Sequence, residues 1–254
     1  MTAVAVHAVT EGPEDAPVVV LAGSLGSTLE MWDPQVSALA GSFRLVRYDA
    51  RGHGRSPVPP GPYAMDDLVD DAVALLDRLG VQSASFVGLS LGGMTGMRLA
   101  AREPARLDRL ALLCTAPLMD SGPWRERAQA VRTDGTGSIA PAIVIRWLTD
   151  GRRAADPELV ARFEQMVAGT PDEGYAACCE AIAAMDLRAD LTRITAPTLV
   201  IGGADDPATP PQHQRDIADA VAGAELLVVE DAAHLASYEQ AATVNAALLR
   251  HLQA

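Results

Sequence analysis

The segment Gly88-Leu89-Ser90-Leu91-Gly92 places a serine between two glycines, at the end of the apolar run Ser85 to Leu89 and at the start of a helical pattern. A serine on a tight strand-to-helix turn has its hydroxyl exposed, and only small residues two positions away on either side leave room for that turn. The hydroxyl is a poor nucleophile until a base removes its proton, and that base is normally a histidine held by a carboxylate. Of the five histidines, His7, His53, His213 and His251 read as structural. His234 differs. It follows the run Leu226 to Val229 by the short loop Glu230-Asp231-Ala232-Ala233 and precedes the last helical pattern, which brings it to the same sheet edge as Ser90. Carboxylates at that edge are Asp205 and Asp206, after Thr198 to Ile201, and the weaker candidate Asp120. An oxyanion formed by attack on a carbonyl needs two backbone N–H donors, and Leu91, directly after the serine, supplies one of them.

Parallel strands joined by helices are the elements that bring chain-distant residues to one edge. Val4 to Val9 reads as an edge strand. Val18 to Leu21, Phe43 to Tyr48, Ser85 to Leu89, Leu110 to Cys114, Thr198 to Ile201 and Leu226 to Val229 are near-continuous apolar runs, as expected of strands covered on both faces. Asp66 to Leu79 and Tyr238 to Leu252 carry an apolar stripe at helical spacing. Between about Leu118 and Leu191 there is no strand signal. Three or four helices are expected there, over Pro123 to Arg132, Ile139 to Leu148, Pro157 to Ala168 and Glu173 to Met185. Residues 118–191 thus form a helical cap inserted in a core made of residues 1–117 and 192–254, the whole folding as one unit.

With 20 Lys+Arg against 33 Asp+Glu the chain of 254 residues has a formal net charge of −13. Such a chain would be repelled by phosphate backbones and anionic lipid, and no local basic patch offsets this, so nucleic-acid and membrane binding are not expected. The longest apolar stretches fall far short of the roughly 20 residues that span a bilayer. Met1 to Val9 has neither the basic nor the apolar region of a secretory signal. The three cysteines, Cys114, Cys178 and Cys179, are odd in number and two are adjacent, so packing is expected rather than a disulfide framework, in a cytoplasmic setting. Neither His-Glu-x-x-His nor a phosphate loop occurs, so no metal or organic cofactor is expected.

These motifs together resemble the α/β-hydrolase superfamily along essentially the whole chain. The resemblance implies a mostly parallel central sheet of about seven strands, with helices on both faces and a helical cap. The order Ser, Asp, His of that superfamily points to Asp206, because Asp206-Pro207-Ala208-Thr209-Pro210 is similar to its acid loop. Aligned with its His-Gly-x motif, Ala22-Gly23-Ser24-Leu25-Gly26 gives Ser24 as the second oxyanion donor, with Leu25 as the near alternative. More narrowly, the chain resembles the 3-oxoadipate enol-lactonases. That likeness rests on Ser24-Leu25-Gly26 with Met31-Trp32-Asp33-Pro34-Gln35, Arg47-Tyr48-Asp49 with Arg51-Gly52-His53-Gly54, Arg146-Trp147, and Gly174-Tyr175-Ala176-Ala177-Cys178-Cys179 with Met185-Asp186-Leu187-Arg188. The short N-terminus departs from the family's opening hairpin and implies one strand fewer.

The resemblance implies hydrolysis of 3-oxoadipate enol-lactone to 3-oxoadipate in aromatic catabolism, with catalytic Ser90, Asp206 and His234. A substrate carrying a carboxylate needs a local cation on a protein of this charge. Arg146 is the candidate, with Trp147 beside it as a wall and Leu25 completing the substrate contacts. Other readings are a carboxylesterase, another lactonase or a perhydrolase of the same fold, and, in a different class, a ligand receptor that retains the triad without turnover.

Overall fold

The computed structural model describes residues 2–254, so Met1 of the N-terminal segment lies outside the described residues. Seven strands form one sheet: β1 (Ala8–Glu11), β2 (Val18–Ala22), β3 (Arg44–Tyr48), β4 (Ala84–Leu89), β5 (Leu107–Leu113), β6 (Thr198–Gly203) and β7 (Glu225–Val229). Their order is β1-β3-β2-β4-β5-β6-β7. Only β1 runs antiparallel, against β3, and every other pairing is parallel. Parallel neighbours require crossovers, and the helices that make them cover both faces. Alternate residues of the central strands β2, β4, β5 and β6 therefore enter different cores: Val20, Phe86, Leu110 and Val200 lie in one apolar cluster, and Val19, Val87, Ala111 and Leu199 in the other.

The helices are α1 (Asp33–Leu39), α2 (Met65–Arg78), α3 (Leu91–Arg102), α4 (Ser121–Asp134), α5 (Ala140–Trp147), α6 (Asp150–Ala155), α7 (Pro157–Ala168), α8 (Asp172–Ala184), α9 (Arg188–Leu191), α10 (Pro211–Ala220), α11 (Ala236–Glu239) and α12 (Ala241–Gln253). Those from α4 to α9 fall between β5 and β6, where the sequence shows helical periodicity alone. The two ends of this insertion meet: Leu118 bridges Asp186, and the Leu187 N–H donates to the Pro117 carbonyl at 2.8 Å. Its apolar faces extend both cores. Tyr175 and Cys178 of α8 join one, and Trp147 of α5 and Phe163 of α7 join the other.

Three expectations are corrected. Six helices, α4 to α9, stand where three or four were expected, because the short α6 and α9 are too brief to show a stripe of their own. The first strand is Ala8–Glu11 rather than Val4 to Val9, because a strand needs a ladder and β3 supplies one only from Tyr48 back to Leu45. Upstream, the Val4 N–H is taken by the Asp71 carboxylate and the His7 N–H by the Ser56 hydroxyl. The last helical segment is broken at Gln240 into α11 and α12. The Glu239 side chain is drawn away there to bind other loops, as described below.

Candidate active site

Ser90 occupies the turn between β4 and α3 with φ 54° and ψ −111°, a conformation that costs a non-glycine residue energy and persists only where its surroundings enforce it. They do so by close approach. A Cβ on Gly88 would lie 2.2 Å from the Gly92 carbonyl oxygen, and one on Gly92 would lie 2.1 Å from that of Ala22. The Ser90 N–H donates to the Leu113 carbonyl at 2.9 Å, and the Ser90 carbonyl accepts from the Thr115 hydroxyl at 2.8 Å.

His234 lies on the loop after β7, with its Nδ1 2.9 Å from Asp206 Oδ2. Both side chains are buried. The other carboxylate oxygen, Oδ1, accepts from the backbone N–H groups of Ala208 and Thr209 at 2.7 and 3.0 Å, while the Thr209 hydroxyl donates to Oδ2 at 2.7 Å. Burial alone would raise the Asp206 pKa, but the His234 ring and the Thr209 donors outweigh it and hold this carboxyl below the ordinary range. An ionised carboxylate at Nδ1 fixes the ring tautomer that leaves Nε2 free to accept a proton. The neighbouring Asp205 is exposed and its side chain takes no part in this cluster.

A cavity of about 200 Å³ opens onto Ser90 and His234. Ser24, Leu25, Arg146 and Trp147 line it, so the four residues singled out for the oxyanion loop and substrate all reach it. Trp147 is buried and packs edge-on against Phe163, with ring centroids 5.6 Å apart. The exposed Arg146 forms no ion pair among the described residues. A second guanidinium, Arg127 of α4, also lines the cavity. It lies over the Trp124 ring at 4.4 Å and likewise lacks an acidic partner among the described residues. Asp120, which caps α4 by accepting from the Gly122 N–H, stands on the same wall. Sequence reasoning missed Arg127. The signal available was its place three residues after Trp124 on one helical face.

In the loop expected to supply the second oxyanion donor, the two candidate N–H groups differ in their surroundings. The Ser24 N–H points to the sulfur of Met31 at 3.2 Å, which also accepts from the Ser27 hydroxyl at 2.9 Å. The Leu25 N–H has no hydrogen-bond partner among the described residues, and neither has Leu91, whose N–H opens α3. Of the two N–H groups weighed from the sequence, that of the near alternative, Leu25, is therefore the one left without a partner, and Leu25 lines the cavity. The loop is tied to the nucleophile's helix by the Gly92 N–H, which donates to the Gly23 carbonyl at 3.0 Å.

The cap is fastened to the histidine loop on both sides of His234. The Leu235 N–H donates to the Trp147 carbonyl at 2.9 Å. Glu239 accepts from the Ala233 N–H at 2.7 Å through one oxygen, and from the Thr149 N–H and hydroxyl at 2.9 and 2.7 Å through the other.

The sheet thus brings Ser90 and the Asp206–His234 pair to one cavity, an arrangement suited to attack on a carbonyl and typical of hydrolases as a class. The chain belongs to the alpha/beta hydrolase fold family, whose sequence profile matches residues 16–135 and 139–241. It is 39% identical over 246 residues to 3-oxoadipate enol-lactonase 2 of Acinetobacter baylyi, covering 96% of this chain and 92% of that one. The crystal structure of the enol-lactonase from Burkholderia xenovorans LB400 superposes with a TM-score of 0.96 at 40% identity, covering 98% and 96% of the two chains. Identity is 31% over 251 residues to RutD of Stutzerimonas stutzeri, a candidate carbamate hydrolase, covering 94% and 92%.

Proposed function

We propose that this hydrolase opens 3-oxoadipate enol-lactone to 3-oxoadipate through an acyl-enzyme on Ser90, in the cytoplasmic breakdown of aromatic compounds. The observation that carries the substrate class is the pair of arginines, Arg127 and Arg146, without acidic partners on the cavity wall above Ser90 and His234. In a chain of net charge −13, two guanidiniums lining one small cavity, neither ion-paired among the described residues and Arg127 hydrogen-bonded to the Tyr175 side chain, suit a substrate that brings its own carboxylate. The likeness to two enol-lactonases supports the same choice over a simple carboxylesterase, perhydrolase, carbamate hydrolase or receptor.

Ser90 Oγ attacks the lactone carbonyl while His234 Nε2 takes the hydroxyl proton, and the oxyanion rests on the Leu25 and Leu91 N–H groups. Collapse breaks the ring C–O bond, and the enol oxygen leaves with the proton held by His234. Because acyl group and leaving group belong to one molecule, the enol stays tethered to Ser90 as the ester. Water then attacks the ester with His234 again as base, Ser90 is released, and the enol tautomerises to the ketone.

The test is hydrolysis of enzymatically generated 3-oxoadipate enol-lactone beside p-nitrophenyl acetate, by wild type and Ser90→Ala. Strong preference for the lactone, abolished with Ser90, is expected. Equal or better turnover of the neutral ester would discard the substrate, and hydrolysis that survived in Ser90→Ala would discard the nucleophile.

A further inference from the structure

His53 reads from the sequence as part of a structural loop, yet its ring reaches the loop that holds the oxyanion donor. It is fully buried, with Nε2 2.9 Å from the Gly26 backbone nitrogen and Nδ1 3.1 Å from the Arg51 carbonyl oxygen. An amide N–H can only donate, so Nε2 must be the unprotonated, accepting nitrogen, and Nδ1–H must donate to Arg51. Burial lowers the pKa of this histidine and keeps it in that neutral form. The ring cannot drift. Arg51 is itself buried and gripped by both oxygens of Asp71, at 2.6 and 2.7 Å, and a Cβ on Gly52 would fall 2.5 Å from the Cα of Gly174 in the cap.

Gly26 adjoins Leu25 and has φ +79°, a conformation glycine enters freely and leaves as freely. Its N–H belongs to the Leu25–Gly26 peptide unit, and a rigid acceptor there fixes the plane on one side of the Leu25 Cα. The Leu25 N–H itself lies in the preceding Ser24–Leu25 unit, whose carbonyl accepts from the Ser27 N–H and hydroxyl at 3.1 and 2.7 Å, so the donor is held from both sides.

We infer that His53 is a positioning residue for the oxyanion hole: through Gly26 it aims the Leu25 N–H at the transition state without touching the substrate. The inference rests on the serine mechanism proposed above. An oxyanion donor contributes about 10²- to 10³-fold to kcat, so a loosened rather than deleted donor is expected to lose about tenfold in kcat, with KM little changed.

The experiment compares His53→Gln with His53→Asn. Glutamine can place its amide oxygen near the position of Nε2 and keep the Gly26 bond, whereas the shorter asparagine reaches only the Nδ1 position. Binding of phenylboronic acid, which forms a tetrahedral adduct on a serine nucleophile, reads the oxyanion hole. KM for p-nitrophenyl acetate reads the ground state. The asparagine variant is expected to bind the boronate about tenfold more weakly than wild type and to lose kcat in proportion, with the glutamine variant within about threefold of wild type. Equal boronate affinity and kcat in both variants would overturn the inference. If the asparagine variant does not fold, nitrogen-15 NMR of the wild-type boronate adduct decides: an unprotonated His53 Nε2 supports the inference, and a protonated one overturns it, since the Gly26 N–H then has no acceptor. Failure of wild type to bind the boronate, or hydrolysis persisting in Ser90→Ala, would instead overturn the serine reading beneath it.

Discussion

Replacing Asp206 by asparagine should disable the protein without unfolding it, and the hydrogen bonds around this side chain say why. Oδ1 accepts from two backbone N–H groups, Ala208 and Thr209. An asparagine must therefore turn its carbonyl oxygen to those donors and place its NH₂ where Oδ2 was, 2.9 Å from His234 Nδ1. The Thr209 hydroxyl can rotate and accept, so the amide is stably held in that orientation. Facing a donor, Nδ1 can only accept. The ring proton then moves to Nε2, the nitrogen that should take the proton from Ser90, and the base is lost. In a serine protease the equivalent change costs about 10⁴ in kcat, or about 5.5 kcal/mol of transition-state stabilisation. The same loss is expected here, with KM within a few-fold. Steady-state hydrolysis of p-nitrophenyl acetate and the rate of phosphonate labelling of Ser90 would measure it, with Asp205→Asn as a control near wild type. A loss below tenfold in folded Asp206→Asn, or a larger loss in Asp205→Asn, would refute the argument.

Arg127→Met and Arg146→Met should each raise KM for an anionic lactone roughly tenfold while leaving neutral esters nearly unaffected, since a charge-assisted hydrogen bond contributes about 1.5–3 kcal/mol and exposure of Arg146 favours the low end; equal effects on both substrates would remove these residues from carboxylate recognition. Glu239→Ala leaves the N–H groups of Ala233 and Thr149 without their acceptor and unfastens the cap from the histidine loop, so calorimetry should show a loss of about 2 kcal/mol, or about 4–8 °C in Tm, together with a fall in kcat. His53 and His251 both have pKa values lowered from 6.5 by burial. The unfolded chain therefore binds more protons than the native one as pH falls below 6.5, and stability should fall with it; His53→Gln should flatten the slope of Tm against pH, and an unchanged slope would assign the dependence elsewhere.

The sheet was legible in the sequence because parallel strands buried on both faces must be apolar along nearly their whole length, and five such runs coincide with β2 to β6 to within a few residues, while the apolar run at β7 marks an edge strand that is largely exposed or half-buried. The edge strand was legible only as an element. Its bounds depend on where β3 offers partners, which no local pattern encodes. Ser90 was readable because the nucleophile's turn needs glycine at fixed short offsets, and His234 because a short loop after a strand leaves a side chain little freedom. The choice of Asp206 over Asp205 was suggested by the proline and threonine that follow, and it is the tertiary structure that buries one carboxylate against His234 and leaves its neighbour in water. Which of Ser24 and Leu25 keeps an unbonded N–H is a matter of tertiary structure, because it turns on peptide orientations set by Met31, by Ser27 and, through Gly26, by the ring of His53. The same holds for Arg127. Residue type and helical spacing state that it is a cation on a face of α4, while its presence above Ser90 follows from how the inserted helices pack onto the sheet, a sum of long-range contacts between segments some forty residues apart or more.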